Sequence, residues 1–280
     1  MFFKGCPARC LWCHNPEGQE FGQEVMVWQR RCRGCGACVK ACPAEAITMV
    51  DGYPLMSYAT CLACGACVQA CIFGARAMVG REVIADQVIQ EIERDRLFYD
   101  ESGGGATFSG GEPLAQPELL EALLAICRAL DIHTAVDTSG LAGSEHILRL
   151  MPLVDVWLYD VKTVDPAVHM EVVGCSNDRI LENLRLLSAS GARIIVRVPV
   201  IPGVNDDSES FDSLAALISS LDGRRPDRLD LLPYHEIGAD KYLRLGRAHD
   251  LQAANRPTEK SIRNVADFFR RLGLEVKIGG

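Results

Sequence analysis

Thirteen of the 280 residues are cysteine, and eleven of them crowd into the first 71 positions. Thiolates are soft ligands for zinc and for iron–sulfur groups, and their spacing separates the two. Cys32-x2-Cys35-x2-Cys38-x3-Cys42-Pro43 recurs after eighteen residues as Cys61-x2-Cys64-x2-Cys67-x3-Cys71. Ahead of both stands Cys6-Pro-Ala-Arg-Cys10-Leu-Trp-Cys13, with gaps of three and two and no fourth cysteine close by. A cubane held by three thiolates leaves one iron open to a further ligand, as a catalytic zinc keeps a position that a closed structural zinc lacks. Eight thiolates cover two cubanes completely; such clusters pass electrons or stiffen the chain without activating a substrate.

Further groups suit a charged ligand. Ser109-Gly110-Gly111-Glu112-Pro113 combines glycines that admit close backbone approach with a carboxylate that can receive an ammonium. Asp137-Thr138-Ser139-Gly140, Asp160-Val161-Lys162, Arg197 and His235 follow along the chain. Taken singly, the glycine segment reads equally as a turn and His235 as a satisfied core histidine. Their common placement is what carries weight.

That placement comes from the elements around them. Val83, Ile84, Val88, Ile89 and Ile92 recur at helical spacing before a break at 102–105, and 106–109 reads as a strand. A helix after Pro117 and a strand over 132–136 follow. Strands over 154–161, 192–201 and 229–232 then alternate with helices over 179–190, 211–221 and 258–272. Such alternation predicts βαβ units on a parallel sheet, either doubly wound or curled into a barrel. Cys6, Glu112, Asp137, Asp160 and His235 each fall at or just past the C-terminal end of a strand, the face on which barrels build their sites. The fold class is therefore α/β, a partial (β/α)6 barrel. Residues 1–29 start the barrel and carry the three-cysteine loop, 30–79 form an inserted α+β unit, and 80–280 complete the barrel.

The duplicated run has the spacing of two-cluster bacterial ferredoxins, in which the fourth cysteine of each run ligates the other cluster. The expected sets are Cys32, Cys35, Cys38 with Cys71, and Cys61, Cys64, Cys67 with Cys42. Gly34, Gly36 and Gly65 fit a backbone wrapped closely round a cluster, and Ile72 stands where proline usually follows the last cysteine. A pair of four-cysteine zinc sites is the alternative. Composition is that of a globular protein, with 48% hydrophobic and 24% charged residues. A net charge of −8 argues against a nucleic-acid partner. No secretory leader or membrane-spanning run is evident, and clustered thiols suit a reducing cytoplasm.

Phe2-Phe3-Lys4-Gly5-Cys6 through Trp12-Cys13-His14-Asn15-Pro16-Glu17, the two longer runs, Gly110-Gly111-Glu112-Pro113, Asp137-Thr138-Ser139-Gly140, Asp160-Val161-Lys162 and Leu231-Leu232-Pro233-Tyr234-His235-Glu236 together resemble the glycyl-radical-enzyme activating enzymes of the radical S-adenosylmethionine superfamily. The likeness spans nearly the whole chain and points to the subgroup with a ferredoxin-like insert. It implies that Cys6, Cys10 and Cys13 hold a catalytic [4Fe–4S] cluster, the first of three, whose open iron is chelated by S-adenosylmethionine. Trp12, Cys13 and His14 then lie beside the cofactor's adenosine. Gly110, Gly111 and Glu112 receive its amino group, and Asp160, Val161 and Lys162 meet its carboxylate end. Asp137, Thr138 and Asp160 shape a monovalent cation site, and Arg197 and His235 touch the cofactor.

The implied reaction starts with reduction by flavodoxin or ferredoxin. S-adenosylmethionine is then cleaved to methionine and a 5′-deoxyadenosyl radical, which takes a Cα hydrogen from a glycine of a large partner enzyme. Family members usually carry a further segment with a Gly-Pro-Gly turn before the first strand. This sequence starts five residues before Cys6, and loss of such a segment is expected to affect partner docking more than cofactor binding. Two rival classes share parts of the pattern: a radical enzyme acting on a small molecule or peptide, and a ferredoxin-type electron carrier. The carrier predicts no cofactor cleavage after dithionite reduction; the small-molecule enzyme predicts substrate bound directly at an auxiliary iron or a nearby side chain.

Overall fold

The computed structural model describes residues 1–249, 251 and 256–279. A two-residue strand, β1 (Phe2–Phe3), opens the chain. The insert follows as β2 (Glu24–Val27), helix α1 (Ala37–Lys40), the hairpin β3 (Ile47–Val50) and β4 (Tyr53–Met56), α2 (Ala66–Gln69) and β5 (Arg76–Val79). In it β2 pairs antiparallel with β5, and β3 with β4. The two halves match locally: Gly36 and Gly65 start α1 and α2 at φ +73 and +78, a left-handed conformation that glycine adopts without strain.

The rest of the chain runs α3 (Ala85–Glu93), α4 (Arg96–Ser102), β6 (Gly105–Gly110), α5 (Pro117–Ala129), β7 (His133–Thr138), α6 (Ser144–Leu150), β8 (Val156–Asp160), α7 (Pro166–Val173), α8 (Asp178–Ala189), β9 (Ile194–Val200), α9 (Ser208–Ser219), β10 (Arg228–Pro233), α10 (Ala239–Arg244), α11 (Glu259–Arg271) and β11 (Val276–Ile278). Seven strands form one parallel sheet in the order β1-β6-β7-β8-β9-β10-β11. The order never reverses, so there is no switch point of a doubly wound sheet; every crossover of one hand places its helices on the same face and curls the sheet. Because β1 and β11 do not pair, the barrel stays open. The sheet has one strand more than the six units read from the sequence. β11 is only three residues long, below the length at which alternation shows.

Pleating sorts the side chains. In β9, Ile194, Val196, Val198 and Val200 are buried while Ile195, Arg197 and Pro199 alternate with them. The buried set joins Phe108, Trp157 and Tyr159 against Leu120, Leu123 and Leu124 of α5, Leu184 and Leu187 of α8, and Phe269 of α11. The opposite face is left to line the mouth of the barrel. The short helices α6, α7 and α10 escape the sequence pattern because seven, eight and six residues give too few turns for a periodicity to register. No helix among the described residues is long and apolar enough to cross a membrane.

Candidate active site

β1 is too short to fix the three-cysteine loop, and backbone contacts from elsewhere do so. Gly5 N–H donates to Gly18 O at 2.7 Å, Cys6 N–H to Gln19 O at 2.9 Å, and Glu112 N–H to Gly5 O at 2.8 Å. On its far side Arg9 N–H donates to Val173 O and Leu11 N–H to Val172 O, at the end of α7. Gly111 packs so closely that a Cβ there would overlap Gly5 O and Gly18 O. Lys241 of α10 closes the loop with bonds to Asn15 Oδ1 (2.9 Å) and Glu17 Oε1 (2.5 Å).

Together these contacts enclose a cavity of about 350 Å³ at the C-terminal ends of the strands. Cys6, Cys10, Cys13, Trp12, His14, Gly110, Gly111, Glu112, Asp137, Thr138, Asp160, Lys162, Arg197 and His235 all line it. Val161 does not: it is buried in the core behind the sheet, as its place between Asp160 and Lys162 on a pleated chain requires. No three His, Cys, Asp or Glu side chains among the described residues converge tightly enough to hold a single metal ion. Zinc needs its sulfurs about 2.3 Å from one point. All three cysteines line the one cavity, whose volume of about 350 Å³ admits a larger inorganic group. Burial pushes the Cys6 thiol up to about 11 and Cys10 up to about 12, so loading iron must displace protons.

A chain of charges crosses three neighbouring strands. Asp160 and Arg197 are lateral partners in the register of β8 and β9. Arg197 Nη1 lies 2.8 Å from Asp137 Oδ1 and its Nε 3.4 Å from Asp160 Oδ1, while Lys162 Nζ lies 3.1 Å from Asp160 Oδ2. Ser109 Oγ donates to Asp137 Oδ2 at 2.8 Å. Burial works against the Lys162 ammonium, but Asp160 and the Cys10 sulfur outweigh it and its pKa rises. Burial and the neighbouring Asp160 raise Asp137 against the pull of Arg197. The expected cation position does not fit this arrangement: the guanidinium already bridges Asp137 and Asp160, and Thr138 Oγ1 bonds Glu112 and Gly140 N–H.

Glu112 also departs from expectation. Its carboxylate is 1% exposed and accepts from Leu114 N–H (3.1 Å), Thr138 Oγ1 (2.5 Å), Ser139 N–H (2.9 Å) and Ser139 Oγ (2.5 Å). It braces the loop after β6 against the loop after β7. Burial still pushes its carboxyl above the ordinary range.

Among the described residues four cavity atoms are buried without a hydrogen bond: Asp160 Oδ1 and Arg197 Nε, which face each other as an ion pair at 3.4 Å, and His235 Nδ1 and Tyr234 Oη, which have no such compensation. Such atoms are costly unless a ligand meets them. The His14 and His235 rings stack at 4.1 Å and 9°, and His14 Nε2 lies 3.0 Å from His235 O, which makes that nitrogen the protonated one. Burial, then His235, lower the His14 pKa, and the stacked rings present a flat step to the cavity. A cationic cofactor with a purine ring, an amino group and a carboxylate fits these donors and acceptors.

The insert holds two further cysteine cavities. Cys32, Cys35, Cys38 and Cys71 line one, and Cys42, Cys61, Cys64 and Cys67 the other. Backbone N–H groups reach the sulfurs in matching fashion, from Gly34 to Cys32 (3.5 Å) and Ala63 to Cys61 (3.3 Å), and from Ala46 to Cys42 and Ala75 to Cys71 (both 3.3 Å). Such donors stabilise thiolates.

Asn205 escaped the sequence reading. It is 4% exposed; its Oδ1 accepts from Ile201 N–H (2.8 Å) and its Nδ2 donates to Lys162 O and Pro199 O (both 2.7 Å). It thereby ties the ends of β8 and β9 beneath Lys162. The Pro202-Gly203 turn beside it was the only local signal.

A model of the radical SAM superfamily matches residues 62–215, and one of the 4Fe-4S dicluster domain matches residues 31–75. The chain is 41% identical to the trans-4-hydroxy-L-proline dehydratase activating enzyme of Clostridioides difficile, over 100% of this chain and 93% of that protein. It is 40% identical to the choline trimethylamine-lyase activating enzyme of Oleidesulfovibrio alaskensis, over 99% and 91%. A solved domain of the pyruvate-formate lyase-activating enzyme from Bacteroides vulgatus superposes with a TM-score of 0.55 at 33% identity, covering 63% of this chain and 99% of that domain. An open parallel barrel with a three-thiol cavity at its mouth, joined to a dicluster insert in a chain this similar along its whole length, belongs to the glycyl-radical-enzyme activating enzymes of the radical SAM superfamily.

Proposed function

We propose that this activating enzyme works with three [4Fe–4S] clusters, held by Cys6, Cys10 and Cys13, by Cys32, Cys35, Cys38 and Cys71, and by Cys61, Cys64, Cys67 and Cys42. When bound, the first cluster and S-adenosylmethionine supply a 5′-deoxyadenosyl radical that takes a Cα hydrogen from a glycine of the partner enzyme. The observation that carries this reading is the convergence of Cys6, Cys10 and Cys13 on one cavity with Asp160, Lys162, Arg197 and His235. Arg197 and Lys162 supply positive charge for the cofactor's carboxylate, and the stacked His14–His235 step, with Trp12, takes the adenine face. Glu112 and Asn205 position these groups without touching the cofactor. The unpaired sheet edges at β1 and β11 leave a way in for a glycine-bearing loop. Apolar walls such as Ile201 and Leu232 keep water from the radical's path. Flavodoxin or ferredoxin provides the electron.

The test is anaerobic reconstitution, reduction with dithionite and addition of S-adenosylmethionine. 5′-Deoxyadenosine should form in the parent and not in Cys10→Ala, whose insert clusters persist. Addition of trans-4-hydroxy-L-proline dehydratase, choline trimethylamine-lyase and other glycyl-radical enzymes should give the glycyl doublet by electron paramagnetic resonance with one of them. Deoxyadenosine with no doublet from any partner would favour a small substrate, and no deoxyadenosine at all an electron carrier.

A further inference from the structure

We propose that the insert's face over the Cys32–Cys35–Cys38–Cys71 cavity docks a small acidic one-electron carrier protein; this rests on the assignment of a cluster to those cysteines. Residues 30–79 carry five cations and two carboxylates, Glu45 and Asp51, in a chain of net charge −8. Arg30 and Arg33 line this cavity and, like Lys40 on α1, are exposed with no ion-pair partner among the described residues. In the barrel some exposed arginines are ion-paired, as Arg94 is with Glu91 and Arg263 with Glu259, and others, such as Arg185 and Arg225, are not. Cys35 is itself exposed. Around it Tyr53, Leu55 and Phe73 are 60%, 59% and 42% exposed, an apolar patch with a cationic rim. Arginine and aromatic residues together are the composition of a protein interface, and the charge selects an acidic partner.

The second cysteine cavity is rimmed by Ala44, Leu62 and Gly65 and has no charged lining residue. It also lies nearer the barrel. Glu24 at the start of β2 is held by Lys4 (2.8 Å) and by Arg247. Val25 faces the second cavity and Val27 the first, so the first lies about two strand residues, or roughly 7 Å, farther along β2. Tyr58, three residues before Cys61, donates to Arg244 O of α10 at 2.8 Å. Along β2 the cationic cavity thus lies on the side away from the Glu24 anchor, with Trp28 beside it meeting Arg244 of α10. A carrier docked there is oxidised by one electron, the group held by Cys32, Cys35, Cys38 and Cys71 is reduced by one, and no bond forms or breaks. The glycyl-radical enzyme must reach the mouth of the barrel instead, so the two partners need not compete.

The reconstituted chain is titrated anaerobically with a strongly acidic two-[4Fe–4S] ferredoxin as probe, by calorimetry at low and at moderate salt. Arg30→Glu/Arg33→Glu should weaken binding on the order of tenfold at low salt and flatten its salt dependence. Lys40→Glu should give a smaller loss in the same direction. Arg185→Glu/Arg225→Glu, which reverses two exposed unpaired cations of the barrel, should bind as the parent does. Iron content and circular dichroism report that each variant is folded and loaded. Equal weakening by both double variants, weakening by neither, or weakening of glycyl-radical-enzyme binding instead of carrier binding, would overturn the assignment. Failure of the parent to cleave S-adenosylmethionine with dithionite would sink the proposed function and leave the docking result to stand alone.

Discussion

Replacing Asn205 tests whether the cavity depends on groups that never touch a ligand. In Asn205→Ala the Ile201 N–H is left buried and unpaired, at about 1–3 kcal/mol, and the carbonyls of Lys162 and Pro199 each lose one donor at a smaller cost. A total of about 2–4 kcal/mol corresponds to a fall in Tm of about 5–12 °C for a chain of this size. Asn205→Asp keeps the acceptor for Ile201 but turns an oxygen toward two carbonyls. Burial and those dipoles raise the new carboxyl's pKa in the folded state. Its protonated form then restores one donor, so stability is full below about pH 4, the unfolded value, and is lost as pH rises through the folded one. The Ala variant should be displaced from the parent by the same amount at every pH. Thermal melts by circular dichroism from pH 4 to 8, with S-adenosylmethionine affinity on the reconstituted proteins, read both effects; affinity should fall about tenfold because Lys162 loses its anchor. An Ala variant melting within 1 °C of the parent, or an Asp variant without pH dependence, would refute the bracing role.

Gly111→Ala should push the three-cysteine loop off its seat, because the new Cβ overlaps Gly5 O and Gly18 O. Iron analysis should show about four irons fewer per chain while the insert keeps its own. Asp207 caps α9 by accepting from Ser210 N–H (2.8 Å) and Ser210 Oγ (3.0 Å), and those bonds hold its carboxyl below the ordinary value. Asp207→Ala should cost about 1 kcal/mol near pH 7 by urea melt. That difference is present above pH 4 and should vanish as pH falls through the depressed folded pKa.

The parts of this molecule that the sequence discloses are those governed by spacing along one segment. Cys32, Cys35 and Cys38 announce themselves by their gaps, and the exchange of Cys42 and Cys71 between the two cavities follows from the duplication. Asp137 and Asp160 are visible because strand ends can be located from Val- and Ile-rich runs. Val161 shows the limit of motif reading: two residues apart is one face and one apart is the other, so a three-residue motif cannot deliver all its members to a cavity. Glu112 and Thr138 were legible as site residues but not as partners of each other, since the loops that carry them are 26 residues apart and meet only when β6 and β7 pair. Asn205 has no pattern at all; its role lies in three bonds to backbone atoms of two different strands.

The same distinction explains how a two-residue first strand can support the reactive loop. β1 gives the sheet an edge but no purchase, so the loop is stitched at Gly5 and Cys6 to residues 18 and 19, at Arg9 and Leu11 to the end of α7, and through Asn15 and Glu17 to α10. Each anchor comes from a different βα unit. These anchors hold the cysteine-bearing wall opposite Asp160 and Arg197 on β8 and β9 and Lys162 just past the end of β8. An incoming cofactor meets both the loop and the strand ends, and the burial of His235 Nδ1 and Tyr234 Oη without hydrogen-bond partners favours a ligand beside them. The insert meets α10 through Tyr58, which donates to Arg244 O, and through Trp28, whose ring centroid lies 5.3 and 5.2 Å from the Arg31 and Arg244 guanidinium groups. Since α10 also carries Lys241, the insert and the reactive loop share one helix as a common support.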